Sequence, residues 1–211
     1  MSISEIIPCL YRKFGIQKNN YAGFAAEGNV MVRLRKLQEK DAWGMLEWMQ
    51  DADIMKGFRF QGKNKTIEDI CAFIRDAKRE FDEKKSLHYA IVEEQDEYLG
   101  TISLKNIDYS SRNAEYAISL RKKSQGKGIA MCATHEILKK AFVELNLHRV
   151  YLNVFSDNLA AIRLYEKSGF VLEGQFREHI SINNEFKSLK WYGILKDEWM
   201  DLSANTKLHR R

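Results

Sequence analysis

The feature that most constrains this chain is a strand-like run that passes into a glycine turn and then directly into a helix. Ala114 to Leu120 reads as the strand, Gln125-Gly126-Lys127-Gly128-Ile129-Ala130 as the turn and helix start. Ile129, Ala133, Ile137, Leu138, Ala141, Phe142 and Leu145 then recur at helical spacing. The first turn of a helix leaves amides without internal acceptors and carries partial positive charge. Gly126 and Gly128 let that backbone come close to a ligand. Together these features suit a diphosphate, although a glycine turn between strand and helix is also common without any ligand. The spacing excludes a Walker loop, which needs GxxxxGK[ST]. It also departs from the GxGxxG dinucleotide fingerprint, since Met131 stands where the third glycine belongs.

The periods around this segment define an α/β layer. Val32, Leu34 and Leu37 mark a first strand, and Ala42, Met45, Leu46 and Met49 a helix. Thr66-Ile67-Glu68-Asp69 resembles a capping box, and Ile70, Phe73, Ile74, Ala77 and Phe81 follow as an apolar stripe. Runs at Leu87 to Glu93, Tyr98 to Ile107 and Ala114 to Leu120 are joined by turns, which predicts antiparallel strands. After the glycine-turn helix come a strand at Val150 to Phe155, a short helix at Ala160 to Lys167 stopped by Gly169, and two closing strands around Asn183-Asn184. Residues 1–30 hold three glycines and the only proline without a sustained period, and are read as an extension. Residues 31–200 are read as one domain and 201–211 as a tail.

Composition narrows the classes. A chain of 211 residues with 45% apolar and 30% charged residues is that of a soluble globular domain. No apolar run approaches the roughly 18 residues that span a bilayer, and the N-terminus has no export signal, so a cytoplasmic protein with no membrane partner is expected. Three scattered cysteines suit free thiols, and no Cys/His cluster has metal-ligand spacing, so no metal is expected. The net charge of +5 is dispersed among acids, as in DAKREFDEKK, which argues against a nucleic-acid partner.

A second motif settles the direction. Gln125-x-x-Gly128-x-Ala130 resembles the acetyl-CoA signature Q/R-x-x-G-x-G/A of the GNAT acetyltransferase superfamily. Asn158-Leu159-Ala160-Ala161-Ile162-Arg163-Leu164-Tyr165-Glu166-Lys167-Ser168-Gly169-Phe170 is similar to that family's N-x-x-A-x-x-x-Y-x-x-x-G-F. The segments Leu172 to Arg177 and Leu195 to Trp199 resemble the RimJ/RimL-type branch. The resemblance covers about residues 31–200. It implies the GNAT (acyl-CoA N-acyltransferase) fold: a mixed, mostly antiparallel sheet of about seven strands, about four flanking helices, and splayed central strands with a bulge before the glycine loop.

The resemblance also implies a chemistry, the transfer of acetyl from acetyl-CoA to a primary amine by direct attack. Ile118, Ser119 and Leu120 are expected to offer backbone groups to pantetheine, and Gln125, Gly126, Lys127, Gly128, Ile129 and Ala130 to hold the diphosphate. Asn158 caps the short helix and faces the same cofactor, while Arg163 and Lys167 lie toward its 3′-phosphate. Tyr165 is the expected general acid, a phenol that protonates the leaving thiolate. Glu115, on the strand leading to the thioester, is the candidate general base. An ordinary surface acid at a strand end is an equal alternative. His88, His135, His148 and Cys132 receive no catalytic role.

Two departures stand out. Arg121-Lys122-Lys123 replaces the Asp-Pro-like pair of many relatives and is expected to add positive potential near the phosphates. Ser188 stands about where many relatives carry an acid. The acceptor is expected to be a small-molecule amine. Phe58, Arg59, Phe60, Arg177 and His179 suit a nucleotide-linked amino sugar, whereas Asp51 and Asp53 suit a polyamine. A ribosomal-protein N-terminus is a third acceptor, a non-catalytic acyl-CoA sensor a reading of another class, and a homodimer is left open.

Overall fold

The computed structural model describes residues 31–59, 62 and 64–208, with side chains through Ser203. Residues 1–30, Phe60 and Arg210–Arg211 thus lie outside the described residues. The chain order is β1 (Arg33–Lys36), α1 (Ala42–Gln50), α2 (Ala52–Met55), α3 (Ile67–Asp82), β2 (Leu87–Val92), β3 (Tyr98–Asp108), β4 (Asn113–Leu120), α4 (Ile129–Lys139), β5 (Arg149–Phe155), α5 (Leu159–Lys167), β6 (Val171–Ile182), β7 (Glu185–Leu195) and α6 (Lys196–Leu208). Six α-helices are present among the described residues, where the sequence suggests four. Four-residue α2 is capped by Asp51, whose carboxylate accepts from the Asp53 and Ile54 amides at 2.9 and 3.1 Å. The last helix crosses the expected boundary at 200 and continues to Leu208.

The strands form a single seven-stranded sheet in the order β1-β2-β3-β4-β5-β7-β6. Every neighbouring pair is antiparallel except β4 with β5. Helices cover both faces. On one, Ala42, Met45 and Trp48 of α1 and Ile70 and Ile74 of α3 pack on Ala90, Val92 and Tyr98. Thr66 and Asp69 complete the capping box that starts α3. On the other face, Ile129, Ala133, Ile137 and Leu138 of α4, Ile162 and Tyr165 of α5 and Trp199 of α6 join Ile102, Leu104, Tyr116 and Leu152 in the larger core. Period-two alternation sends even-numbered residues of β4 and β5 to this second face.

The parallel pair is short. β4 and β5 meet only at Asn113↔Arg149, Ala114↔Val150 and Glu115↔Tyr151, and then part. The partners of each strand on its other side continue: β4 stays paired with β3 to Leu120, and β5 with β7 to Phe155. The recorded irregularity beside this fork lies in β3, where the register shifts between Lys105 and Asp108 and Asn106 takes a φ of 51°. It is therefore β3, not β4, that carries the extra residue near the point of parting.

Gly100 of β3 holds β4 close at this fork. A Cβ there would stand 2.3 Å from the Ser119 carbonyl oxygen and 3.0 Å from Leu120 Cα. Gly100→Ala must push β4 aside, and is expected to cost about 1–3 kcal/mol. At about 2–4 °C per kcal/mol for a chain of this size, the melting temperature falls by several degrees. Thermal unfolding checks this; a shift below about one degree would show that β4 yields freely.

Candidate active site

The two lips of the fork can be read from the ladder. The Arg121 amide bonds to the Leu99 carbonyl at 2.9 Å, continuing the register Gly100↔Leu120. Peptide groups alternate sides along a strand. Ala117 and Ser119 therefore bond to β3, while Tyr116, Ile118 and Leu120 turn their N–H and C=O groups toward β5. On the opposite lip, the Ser156 amide bonds to the Ser188 carbonyl at 3.0 Å in the β5–β7 register. Leu152 and Val154 thus face β7, and Asn153 and Phe155 face β4. The Phe155 carbonyl accepts from the Asn158 amide at 3.0 Å. Of the three residues expected to offer backbone groups, Ile118 and Leu120 turn theirs toward the gap, whereas the Ser119 peptide faces β3 and its buried side chain lies on the α1 face.

The glycine loop closes one end of the fork. Gly126 and Gly128 have φ of 71° and 76°, left-handed values that glycine adopts without strain. Gly128 is the N-cap of α4, and the Cys132 amide is the first to bond back, to the Gly128 carbonyl at 3.2 Å. Among the described residues, no protein group accepts from the amides of Gly126 through Met131. A Cβ at Gly126 would meet nothing within 4 Å among the described residues, and with respect to them these amides are bare. The Gln125 amide side chain donates to the Leu120 carbonyl at 3.3 Å and ties the loop to the strand end. Thr134 links the same two elements: it accepts from the Tyr116 hydroxyl at 2.7 Å and donates to the Ala130 carbonyl at 2.7 Å. The row of amides and the parted strands fit an extended ligand that ends in a diphosphate. That is the shape and charge of coenzyme A.

Tyr165 sits beneath the fork on the α4 face. Its ring meets Tyr116, Phe170 and Tyr192 at centroid distances of 5.8, 6.0 and 6.4 Å. Burial pushes its phenol well above the usual value near 10. The hydroxyl has no hydrogen-bond partner among the described residues. Asn158 caps α5 by accepting from the Ala161 amide at 3.2 Å. Lys127, Arg163 and Lys167 are exposed. Ser168, beside Lys167, contacts Met131 Sδ at 3.3 Å, so the end of α5 meets the start of α4.

Glu115 lies on the last paired rung of β4 with β5. Its carboxylate is held by Lys105 Nζ at 2.9 Å and Asn106 Nδ2 at 3.0 Å. His88 is buried among β2, β3 and α3, bonded to Ser103 Oγ at 2.8 Å, and burial lowers its pKa.

The cations Arg121, Lys122 and Lys123 do not stand free beside the loop. Arg121 is bonded to Glu47, with Nε to Oε1 at 3.1 Å, and to Glu97 at 3.2 Å. Lys122 meets Asp53 at 3.2 Å and Asp51 at 3.7 Å, and Lys123 meets Glu97. The expected rise in potential is spent on these acids, which instead fasten α1 and α2 to the segment before the glycine loop.

The residues expected at the acceptor are only partly brought together. Phe58 turns onto Trp48, with centroids 5.4 Å apart. Arg59 reaches across to Asn153 Oδ1 on β5. Arg177 and His179 lie on edge strand β6, two strands or about 10 Å from β5. There His179 contacts the Phe176 ring at 5.1 Å, and Ser188 Oγ accepts from the Glu178 amide at 3.0 Å. Three residues not singled out from sequence line the same sheet face: Tyr151, Asn153 and Trp191. Tyr151 stacks with Trp191 at 6.2 Å, and Asn153 pairs with Trp191 across β5 and β7. Alternation along β5 carried the signal, since Arg149, Tyr151 and Asn153 share one face.

Among the described residues there is no group of three metal-ligating side chains and no helix long and apolar enough to cross a membrane. A model of the acetyltransferase (GNAT) domain matches residues 32–171. The spermidine N(1)-acetyltransferase of Vibrio cholerae is 35% identical over 115 residues, 54% of this chain and 66% of that one. The putative ribosomal N-acetyltransferase YdaF of Bacillus subtilis is 28% identical over 179 residues, 83% of this chain and 97% of that one. Among solved structures, the V. cholerae spermidine N-acetyltransferase in complex with CoA and spermine superposes with a TM-score of 0.73 at 27% identity, covering 80% of this chain and 98% of that one. With its forked seven-stranded sheet, the chain belongs to the acetyltransferase (GNAT) domain family and is an N-acetyltransferase enzyme.

Proposed function

We propose that the protein carries acetyl from acetyl-CoA to a small primary amine by direct attack in a ternary complex. The bare amides from Gly126 to Met131, beside strands that part after Glu115, carry this reading. In it the loop from Gln125 to Ala130 binds the diphosphate, and the peptide groups of Ile118 and Leu120 pair with the pantetheine arm as an added strand would. An amide on that lip polarises the thioester carbonyl. Asn158 and Lys167 stand on the cofactor side of α5. Tyr165 gives its proton to the leaving sulfur. Glu115 is the candidate base for the approaching amine, its carboxylate positioned by Lys105 and Asn106. Holding the two reactants in one geometry supplies much of the acceleration.

Two acceptors have specific support. The spermidine acetyltransferases among the relatives favour a polyamine. The arginine at the fork, Arg59, favours a nucleotide-linked amino sugar. A ribosomal-protein N-terminus, the RimJ/RimL-type acceptor, rests on the likeness to YdaF. The reading keeps a homodimer, with the exposed edge strand β6 as the surface offered.

The test is acetyl-CoA incubated with spermidine, amino sugars and their nucleotides, and an N-terminal peptide, with thiol release as readout. Release that requires an amine is expected. Tight acetyl-CoA binding with no release from any amine would instead identify an acyl-CoA sensor.

A further inference from the structure

We propose that Arg59 selects the acceptor, and that the amine it selects carries an anionic group. The inference rests on the acetyl-transfer reading above and names the chemistry of its second substrate.

The argument starts from the strap that crosses the fork. The chain from Glu47 to Arg59 is fastened to the β4 lip by Arg121 on Glu47 and by Lys122 on Asp51 and Asp53. It is fastened to the β5 side by Arg59 on Asn153. Gly57 lies against Asn158, so closely that a Cβ there would stand 2.9 Å from the Asn158 side-chain nitrogen. The Phe58 ring rests on Trp48 and fixes the chain direction next to Arg59. The guanidinium is thereby set at the mouth, on the sheet face of Tyr151 and Trp191. Tyr165 occupies the opposite face. An amine entering from the Tyr151 face meets Arg59 first.

The charges around that mouth cancel, with one exception. Among the described residues, Glu47 is paired with Arg121, Asp51 and Asp53 with Lys122 and Lys56, and Glu115 with Lys105. Among the described residues, Arg59 is the cation at this mouth whose side-chain partner is neutral, the Asn153 amide oxygen. A polyamine would bring two or more positive charges to a mouth whose acids are already paired and whose unpaired charge is positive. A phosphate or carboxylate on the acceptor would displace the weaker Asn153 contact and form charge-assisted bonds to the guanidinium fork. The relatives' acceptor is thus disfavoured by this chain's own charges.

The experiment uses the full chain saturated with coenzyme A. Binding of UDP-glucosamine, glucosamine 6-phosphate, glutamate, glucosamine and spermidine is measured by calorimetry, and their turnover by thiol release. The phosphate and carboxylate arms separate the two sources of charge. At least one anionic amine is expected to bind about tenfold tighter than glucosamine, and spermidine weaker than either. Arg59→Gln is expected to reduce the preference for that anionic amine over glucosamine by about tenfold, mainly through KM, and Arg59→Lys to restore part of it. The proposal is overturned if spermidine binds best, if no anionic amine binds, or if the preference survives Arg59→Gln. Failure of coenzyme A itself to bind would strike the acetyl-transfer reading, so the two failures are distinguishable.

Discussion

Tyr165→Phe is expected to lower kcat by about 10²- to 10⁴-fold, the range of a lost general acid, with acetyl-CoA affinity nearly unchanged. The change removes one oxygen and keeps the ring, whose contacts with Tyr116, Phe170 and Tyr192 hold it in place. Since no described residue bonds the hydroxyl, its loss leaves no described donor or acceptor unpaired, and stability should hold. Dryness raises the phenol pKa above its usual value. This does not spoil it as an acid, because the same surroundings disfavour a thiolate and raise the proton affinity of sulfur as well. The raised value also has a consequence for the pH profile. The phenol stays protonated throughout the range in which an alkylamine, with a pKa near 10, loses its proton. Activity should therefore climb with pH on the amine's deprotonation, with no fall near pH 10 from Tyr165. Steady-state kinetics of the variant and a pH profile of the parent check both statements. Unchanged turnover in the variant removes Tyr165 from the proton path.

What was legible in the sequence was whatever repeats along it. Seven strands and four of the helices followed from periods of two and 3.6, and Gly126, Gly128 and Asn158 from their place between elements. Short α2 escaped because four residues hold no period; only the Asp51 cap marks it. Helix α6 runs past the expected end because its apolar face is weak, with Trp199 as its buried anchor. Contacts between distant residues were not legible. The fork depends on where one ladder stops while two others continue, which no local pattern encodes. Arg59 meets Asn153 across 94 positions. The basic run after Leu120 looked free in sequence, since its acids come from Glu47, Asp51, Asp53 and Glu97, brought over by folding. Electrostatics was thus the least readable property.

Gly126→Ala is the substitution expected to do most harm to acetyl-CoA binding. Its φ of 71° costs an alanine about 1–2 kcal/mol of strain, which the fold can bear. Sterically the protein has room, because the added methyl meets no atom within 4 Å. The proposed function gives the open space beside this loop to the diphosphate, which the added methyl is expected to crowd. Pushing an anion off one or two amide donors forfeits charge-assisted bonds worth about 1.5–3 kcal/mol each. Affinity for acetyl-CoA should then fall by roughly 10- to 100-fold or more. Gly174→Ala is the matched control: its methyl also meets nothing within 4 Å, but it lies on β6, away from the loop. Calorimetric titration of both variants, with thermal unfolding to confirm that each is folded, separates loss of contact from loss of structure. Equal affinities in the two variants would mean that the ligand does not rest on this backbone. The amides that open α4 would then need another explanation for being bare.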